Sequence, residues 1–367
     1  MKKNSQSFSQ IHSNQQNNKE IIRLTNVAKI FHTSFGDYPA LKGIDLTIEP
    51  GNLICILGKS GSGKSTLINN MAGIDYPSSG NVIINGVDLE KMSEGDISVW
   101  RGKNLGIVFQ FFQLLPSLSV LENILLAMDF CETFPKSKRE ERARSLLRDL
   151  DIEELAEFLP NSLSTGHQQC AAIARAMAND PPIILADEPT GNLDSKTGEL
   201  VIQIFKKFVS QGKTVIMVTH DRKLAQNADR ILVIKDGNLI KETLSSKFFY
   251  LSEQLFSKII EKSEVIHLKP GEMIFQSLPG TTWFGIVDKG TIEIKDDHIL
   301  HSYFNRMVFQ TGEIIFPADQ SNYFAVTDCE VILIPNAKVL HLSDSEIQEM
   351  VAVIYPQGNF EGVSYAT

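Results

Sequence analysis

Gly58-Lys59-Ser60-Gly61-Ser62-Gly63-Lys64-Ser65-Thr66 is the stretch whose reading decides the fold. An apolar run, Leu53-Ile54-Cys55-Ile56-Leu57, precedes it, and Leu67-Ile68-Asn69-Asn70-Met71-Ala72 follows. That order predicts strand, glycine loop, helix. The spacing fits G-x-x-x-x-G-K-[ST], the phosphate-cradling P-loop. Its glycines let backbone N–H groups turn inward, and the new helix aims its positive end at the same point. Lys64 is then placed for the β- and γ-phosphates of a nucleotide, and the Ser65 hydroxyl for Mg2+. A Gly/Ser-rich turn before a helix is the bland alternative. It is disfavoured because strand, loop, Lys-Ser and helix all occur in the required order.

The chain around this loop has 367 residues, enough for two domains. It is 43% hydrophobic and 22% charged, an ordinary composition for a folded protein with a sizeable core. A net charge of −9 gives no sign of a nucleic-acid partner, which would call for a basic face. The longest apolar runs, such as 183–186 and 215–218, have strand length and fall far short of a membrane helix. No apolar segment follows Met1-Lys2-Lys3, so a secretory leader is not expected. Four widely spaced cysteines, Cys55, Cys131, Cys170 and Cys329, suit a reducing cytosol and offer neither a disulfide framework nor a zinc site.

Residues 1–19 are Asn, Gln and Ser almost throughout, and a disordered tail is expected. Strand-like pieces follow at 21–31 and 40–48, then the turn Glu49-Pro50-Gly51-Asn52 that leads to the P-loop strand. A short strand at 81–84 ends in Asn85-Gly86, so antiparallel pairing sits beside a parallel core. Leu105-Gly106-Ile107-Val108-Phe109-Gln110 reads as a buried strand ending at Gln110. Residues 136–150 read as a charged helix with Leu146, Leu147 and Leu150 on one face. Further buried strands end in Asp187-Glu188 and in His220, and another spans 231–234. Strands alternating with helices predict an α/β domain with a mainly parallel sheet, and polar residues at strand C-termini mark where such sheets bind ligands.

Asp187 is placed to hold Mg2+, and Glu188 to polarise the attacking water. An Asp-Glu pair at a strand end is commonly a helix cap or a solvated pair. Four apolar residues before it, downstream of a P-loop, favour function. Gln110 is placed to reach Mg2+ and the water, and His220 to donate to a γ-phosphate. A lone His is more often a satisfied core residue, and only its place in this series promotes it.

Leu163-Ser164-Thr165-Gly166-His167-Gln168-Gln169, followed by Ala172-Ile173-Ala174-Arg175-Ala176-Met177, resembles the LSGGQ signature of ABC ATPases and its helix. Asp187-Glu188-Pro189-Thr190-Gly191-Asn192-Leu193-Asp194 is similar to the family's Walker B and D-loop. Gln110 falls at the Q-loop, His220 at the switch histidine, and Phe31 where an aromatic stacks on adenine. The motifs cover 21–243. Residues 114–124 and 186–195 further resemble the branch of macrolide exporters, the lipoprotein-release ATPase and the cell-division ATPase.

The resemblance implies a P-loop NTPase fold of ABC type: a mainly parallel core sheet, an antiparallel β subdomain and a helical subdomain. It implies ATP hydrolysis with Mg2+ held by Ser65, Gln110 and Asp187. The catalytic set it implies is Lys64, Gln110, Glu188 and His220. Residues 58–66, Phe31 and Asp194 would complete the nucleotide site. Ser164, Thr165, Gly166 and His167 would reach the γ-phosphate of ATP on the other protomer of a head-to-tail dimer. A homodimer is expected, with a heterodimer as the alternative, on the cytoplasmic face of the plasma membrane beside a separate transmembrane permease. The apolar stretch 109–118 would line a groove for the partner's coupling helix; core packing is the competing reading. The signature departs from the family pattern at Thr165, His167 and Cys170. Thr165 adds a Cβ where backbone should approach phosphate closely. Two functions other than transport remain: a mechanotransmission or scaffold ATPase like the cell-division branch, and a soluble ATPase acting on DNA or ribosomes. The acidic charge and the apolar run after Gln110 speak against the second.

The pattern changes near residue 245, and a second domain is expected over 244–367. A helix over 248–262 leads into short strands separated by Pro270-Gly271, Pro279-Gly280, Gly290, Asp296-Asp297 and Gly312, an all-β pattern closed by a helix over 344–354. Residues 268–275, 285–294 and 325–331 resemble a cyclic-nucleotide-binding jelly roll, a β-barrel flanked by helices. No arginine lies between Gly312 and Ala325, and Asp319 stands near where the family's phosphate-binding arginine would. A carboxylate repels a phosphate, so no cyclic-nucleotide binding is expected.

Overall fold

The structure is a computed structural model, described here for residues 20–274, 283–295, 308–315, 322–337 and 340–354. The expected tail at 1–19, and Asp319, lie outside the described residues. The chain divides into two compact units, one ending at Leu239 and the other beginning at Ile240.

In chain order the first unit runs β1 (Ile22–Thr33), β2 (Gly36–Ile48), β3 (Leu53–Leu57), α1 (Lys64–Met71), β4 (Ser79–Ile84), β5 (Val87–Asp88), α2 (Glu94–Asn104) and β6 (Leu105–Val108). It continues with α3 (Val120–Cys131), α4 (Lys136–Asp149), α5 (Thr165–Ala176), β7 (Ile183–Asp187), α6 (Ser195–Ser210), β8 (Thr214–Thr219), α7 (Arg222–Ala225), β9 (Arg230–Lys235) and β10 (Asn238–Leu239).

Two sheets result. β2-β1-β4-β5 is antiparallel throughout. The β4–β5 hairpin turns on Asn85 and Gly86, at φ 49° and 76°, as an Asn-Gly pair between strands should. The second sheet has the order β10-β9-β3-β8-β7-β6, with every pair parallel except β10 on β9. β3 and β8 are buried at every position, which is why they read as unbroken apolar runs and not as alternation. In β2, by contrast, the buried Ile44, Leu46 and Ile48 alternate with the exposed Asp45 and Thr47. One core joins the two sheets. It packs Ile22, Ile44 and Ile48 with Leu67 and Ile68 of α1 and with Ile54, Ile56, Ile216 and Val218 of the parallel sheet.

The register of that sheet positions the site. Leu57 stands opposite Thr219, and Val218 opposite Asp187, so the C-terminal ends of β3, β8 and β7 lie abreast. Connections leaving a parallel sheet at such an edge form the usual ligand crevice. Helices α3, α4 and α5 pack on one another and make up the helical part of the unit.

The second unit begins with α8 (Glu242–Phe248) and α9 (Glu253–Lys262). The helix expected over 248–262 therefore starts only at Glu253, and Phe248 ends a separate helix before it. Phe249 and Leu251 are buried, Tyr250 between them is exposed, and the chain turns here between the two helices. Ser252 then starts α9 from extended backbone, at ψ 150°. The strands are β11 (Glu264–Leu268), β12 (Met273–Ile274), β13 (Trp283–Lys289), β14 (Ile292–Lys295), β15 (Val308–Phe309), β16 (Ile314–Ile315), β17 (Asn322–Ala325) and β18 (Cys329–Pro335), and α10 (Asp344–Ile354) follows. They form two antiparallel four-stranded sheets, β11-β18-β13-β16 and β12-β17-β14-β15. Val287, Ile315, Val331 and Leu333 of one sheet share a core with Ile274, Ile292, Tyr323 and Ala325 of the other.

Candidate functional site: the edge of the parallel sheet

The loop after β3 closes tightly because its glycines leave room. A Cβ on Gly58 would lie 2.5 Å from the Ile234 carbonyl oxygen, and one on Gly63 would lie 2.5 Å from that of Ala40. Gly61 and Gly63 also take φ of +79° and +106°, where an L side chain is strained. Within the loop the Ser62 N–H donates to the Lys59 carbonyl at 3.2 Å. Lys59 and Ser60 lie exposed on its outer side, and the Thr66 carbonyl, inside α1, accepts from Asn70 Nδ2 at 3.0 Å.

Lys64 opens α1 and is buried. Its Nζ donates to the carbonyls of Gly58 (2.8 Å) and Lys59 (3.0 Å) and stands 3.4 Å from Glu188 Oε1. The other Glu188 oxygen, Oε2, lies 2.9 Å from His220 Nδ1. Glu188 is only 8% exposed and takes a left-handed φ of 46°, and its N–H donates to Val218 O at 3.0 Å. A left-handed non-glycine residue costs about 1–2 kcal/mol, and such outliers concentrate at functional sites. The backbone turn carries the carboxylate off the strand and between an ammonium and an imidazole. An anionic carboxylate so held is an acceptor, the chemistry needed to take a proton from water.

Ser65 Oγ donates to Asp187 Oδ1 at 3.1 Å. Burial pushes the Asp187 carboxyl above the ordinary carboxylate range. The Ser65 hydrogen bond and the Lys64 charge act in the other direction, and Glu188 adds to the rise. A cation beside it would offset that cost, and a hydroxyl with a carboxylate is the hard-oxygen pair that suits Mg2+.

Gln110 is not a strand residue. β6 stops at Val108, and Gln110 lies in the turn beyond. Phe112 and Gln113 both take φ of 51°, and Arg175 of α5 donates to both their carbonyls, at 2.8 Å for Phe112. That clamp curls the chain just beyond Gln110. Gln110 still faces the site's loop: its carbonyl accepts from Asn192 Nδ2 at 2.9 Å. The stretch 109–118 holds no fully buried side chain, and Phe111 is 72% exposed.

Ser164 caps α5, its Oγ accepting from the His167 N–H at 3.3 Å, and Thr165 is the first residue of the helix, exposed. A Cβ on Gly166 would lie 2.8 Å from Thr197 Cγ2. Thr197 in turn belongs to the cap of α6, where Asp194 accepts from Lys196 N, Thr197 N and Thr197 Oγ1 at 3.0, 3.1 and 2.6 Å. These bonds, led by the one from the Thr197 hydroxyl, hold the Asp194 carboxyl below its usual range. Among the described residues, the contacts of 164–167 run to one another and to neighbouring helices, not to Lys64, Ser65 or Glu188. Cys170 is buried, and burial with the nearby Asp151 pushes its thiol up to about 11.

Phe31 lies half-exposed on β1, directly opposite Tyr38 of β2, with Lys29 Nζ 5.1 Å from its ring centre. Tyr38, Asn192 and Arg175 all touch site segments and were not singled out from the sequence. The signal for Tyr38 was its hairpin pairing with Phe31. Asn192 and Arg175 lie inside the quoted 187–194 and 172–177 runs, which gave neither a role of its own.

Phosphate loop, Asp-Glu pair and strand-end histidine, gathered at one edge of a parallel sheet, define the class of P-loop nucleoside triphosphate hydrolases. The "ABC transporter" family model matches residues 41–191. The chain is 44% identical over 226 residues to the ABC transporter ATP-binding protein MJ0796 of Methanocaldococcus jannaschii, covering 60% of this chain and 96% of that one. It is 41% identical over 223 residues to the lipoprotein-releasing system ATP-binding protein LolD of Aquifex aeolicus, covering 61% and 97%. A solved dimer of the MJ0796 cassette, in a post-hydrolysis state with ADP and Pi bound, superposes at a TM-score of 0.57. That match has 41% identity and covers 59% of this chain and 96% of the cassette. The chain belongs to the ABC transporter ATP-binding proteins, and it is the ATP-hydrolysing subunit that drives a transporter.

Proposed function

We propose that this subunit works as an ATP-closed dimer that drives a separate membrane permease, extruding a lipid, lipoprotein or peptide cargo. The observation that carries this is the Glu188 carboxylate, held by Lys64 at 3.4 Å and His220 at 2.9 Å beside the Ser65–Asp187 pair. In this reading residues 58–66 cradle the triphosphate and Phe31 stacks on the base. Glu188 takes the proton of the attacking water, and His220 and Gln110 orient that water and the γ-phosphate. Ser65, Asp187 and Gln110 would hold Mg2+, which supplies charge neutralisation to the phosphates when bound. Ser164, Thr165, Gly166 and His167, with Asp194, complete the site of the opposite protomer. Two things support a shared site: among the described residues the start of α5 has no contact with its own phosphate loop, and the MJ0796 cassette is dimeric. The exposed apolar stretch at 109–118 supports docking of the permease.

Among the described residues no helix is long and apolar enough to cross a membrane, so membrane association on the cytoplasmic face would come through the partner. The second domain, which begins between residues 240 and 244, is proposed as a jelly roll of cyclic-nucleotide-binding type that has lost its ligand and serves dimer contacts or regulation. Its two antiparallel four-stranded sheets support the reading. Calorimetric titration with cyclic AMP and cyclic GMP should show no micromolar binding; such binding would overturn it.

The central test uses Glu188→Gln, which keeps the shape of the site and removes the base. Hydrolysis should fall by roughly 10²–10⁴-fold while ATP still binds, and a mild-detergent pull-down should recover the membrane subunit with the trapped dimer. Wild-type turnover in this variant would refute the assignment of Glu188.

A further inference from the structure

We infer that Tyr38 is a positioning residue for ATP: its hydroxyl fixes the outer peptide of the phosphate loop relative to the aromatic platform for the base. Tyr38 and Phe31 are directly opposed across the β1–β2 hairpin, so their rings share one face of it. From that face the Tyr38 hydroxyl donates to the Gly61 carbonyl at 3.1 Å. Two residues on, where the β1–β2 register shifts, the Ala40 carbonyl comes so close to Gly63 that a Cβ there would lie 2.5 Å away. β2 therefore grips the loop at two points, one hydrogen bond and one backbone packing contact. The peptide that Tyr38 holds joins Gly61 to Ser62. Because a trans peptide is planar, fixing its C=O outward on Tyr38 fixes its N–H on the other side, where it closes the loop onto Lys59 O at 3.2 Å. Gly61, at φ +79°, is the residue whose backbone freedom would otherwise let this peptide flip. Phe31 has its own tether. Lys29 lies 5.1 Å from the ring centre and also bonds Asp75 Oδ1 (2.5 Å) and the Tyr76 carbonyl (2.7 Å). The base platform is thus anchored on one side through Lys29, and on the other is coupled to the phosphate loop through Tyr38.

This rests on residues 58–66 being the triphosphate site, and the experiment separates the two claims. Binding of ATP and of inorganic triphosphate, which lacks the base, is measured for the full chain and for Lys64→Ala, Phe31→Ala, Tyr38→Phe and Tyr38→Ala, alongside KM and kcat for ATP. Lys64→Ala should abolish binding of both ligands; if it does not, the site reading itself fails. Phe31→Ala should weaken ATP and leave triphosphate unchanged. Tyr38→Phe keeps the ring and removes the hydroxyl. It should weaken both ligands alike, by roughly three- to tenfold, as the loss of one hydrogen bond predicts, raising KM with little change in kcat. Tyr38→Ala should lose at least as much for both. Unchanged affinities in Tyr38→Phe, or a loss confined to ATP, would overturn the proposal.

Discussion

At the residue scale, the site was legible wherever a backbone element forces side chains to its end. Asp187, Glu188 and His220 close apolar strands, Lys64 and Ser65 open the helix after the loop that follows a third, and parallel register brings those strand ends abreast. What was not legible came from backbone conformation. The left-handed Glu188 and the Phe112–Gln113 turn clamped by Arg175 depend on partners distant in sequence. Two substitutions test this scale. Gly63→Ala adds a methyl 2.5 Å from a backbone oxygen at φ +106°. The conformation alone costs about 1–2 kcal/mol, so a thermal melt should fall by several degrees and ATP affinity by at least tenfold. Thr165→Gly restores the signature's glycine and removes a Cβ where the proposed shared site would meet phosphate. ATPase rate measured against protein concentration should rise, and an unchanged rate would show that Thr165 does not limit turnover.

At the element scale, period-two and unbroken apolar patterns marked the strands of the first unit, and the Asn85-Gly86 turn fell where expected. The break between α8 and α9 was hidden because Phe248, Phe249, Leu251, Leu255, Phe256 and Ile259 are all apolar and buried, so composition reads through it. A start signal in Ser252, at the N-cap position of α9, carries the distinction. An ion cluster further ties the start of α8 to the strands it covers. Lys241 Nζ lies 2.5 Å from Glu330 Oε2 and 3.0 Å from Asp288 Oδ2, Lys289 lies 2.9 Å from Glu330 Oε1, and Thr243 donates to Asp288. Hydrogen bonds from Lys241 and Lys289 hold the Glu330 carboxyl down to about 2. A depressed carboxylate stabilises the fold above its unfolded value, about 4.3, and that contribution drains away as pH falls through its folded value. The window is therefore pH 4.3 down to about 2. The chain has two tryptophans, so Trp100→Phe leaves Trp283 of β13 as the reporter of the second unit. In that background Glu330→Gln should lower stability at pH 7 and flatten the acid limb inside this window. A limb identical to that of the parent would remove Glu330 from the account.

At the scale of the whole molecule, the question is where a complete active site comes from. One chain gathers Lys64, Ser65, Asp187, Glu188 and His220 through direct contacts, while among the described residues the start of α5 contacts its own turn and α6. A shared site then follows if α5 serves another copy, and complementation tests it. Thr165→Asp places a carboxylate at the first position of α5, where the helix favours it and a phosphate would be repelled, so the fold should be unharmed. Lys64→Ala removes the cradle instead. Each variant alone should hydrolyse ATP at a few per cent of the wild-type rate or less. Mixed in equal amounts, random pairing makes half the dimers heteromeric. Each of these pairs an intact phosphate loop with an intact signature at one of its two sites, so about a quarter of wild-type activity should return. If each chain instead completed its own site, both variants would stay dead in the mixture. Recovery of activity, rising with total protein concentration as ATP-bound dimers form, would show that the unit of function is the pair.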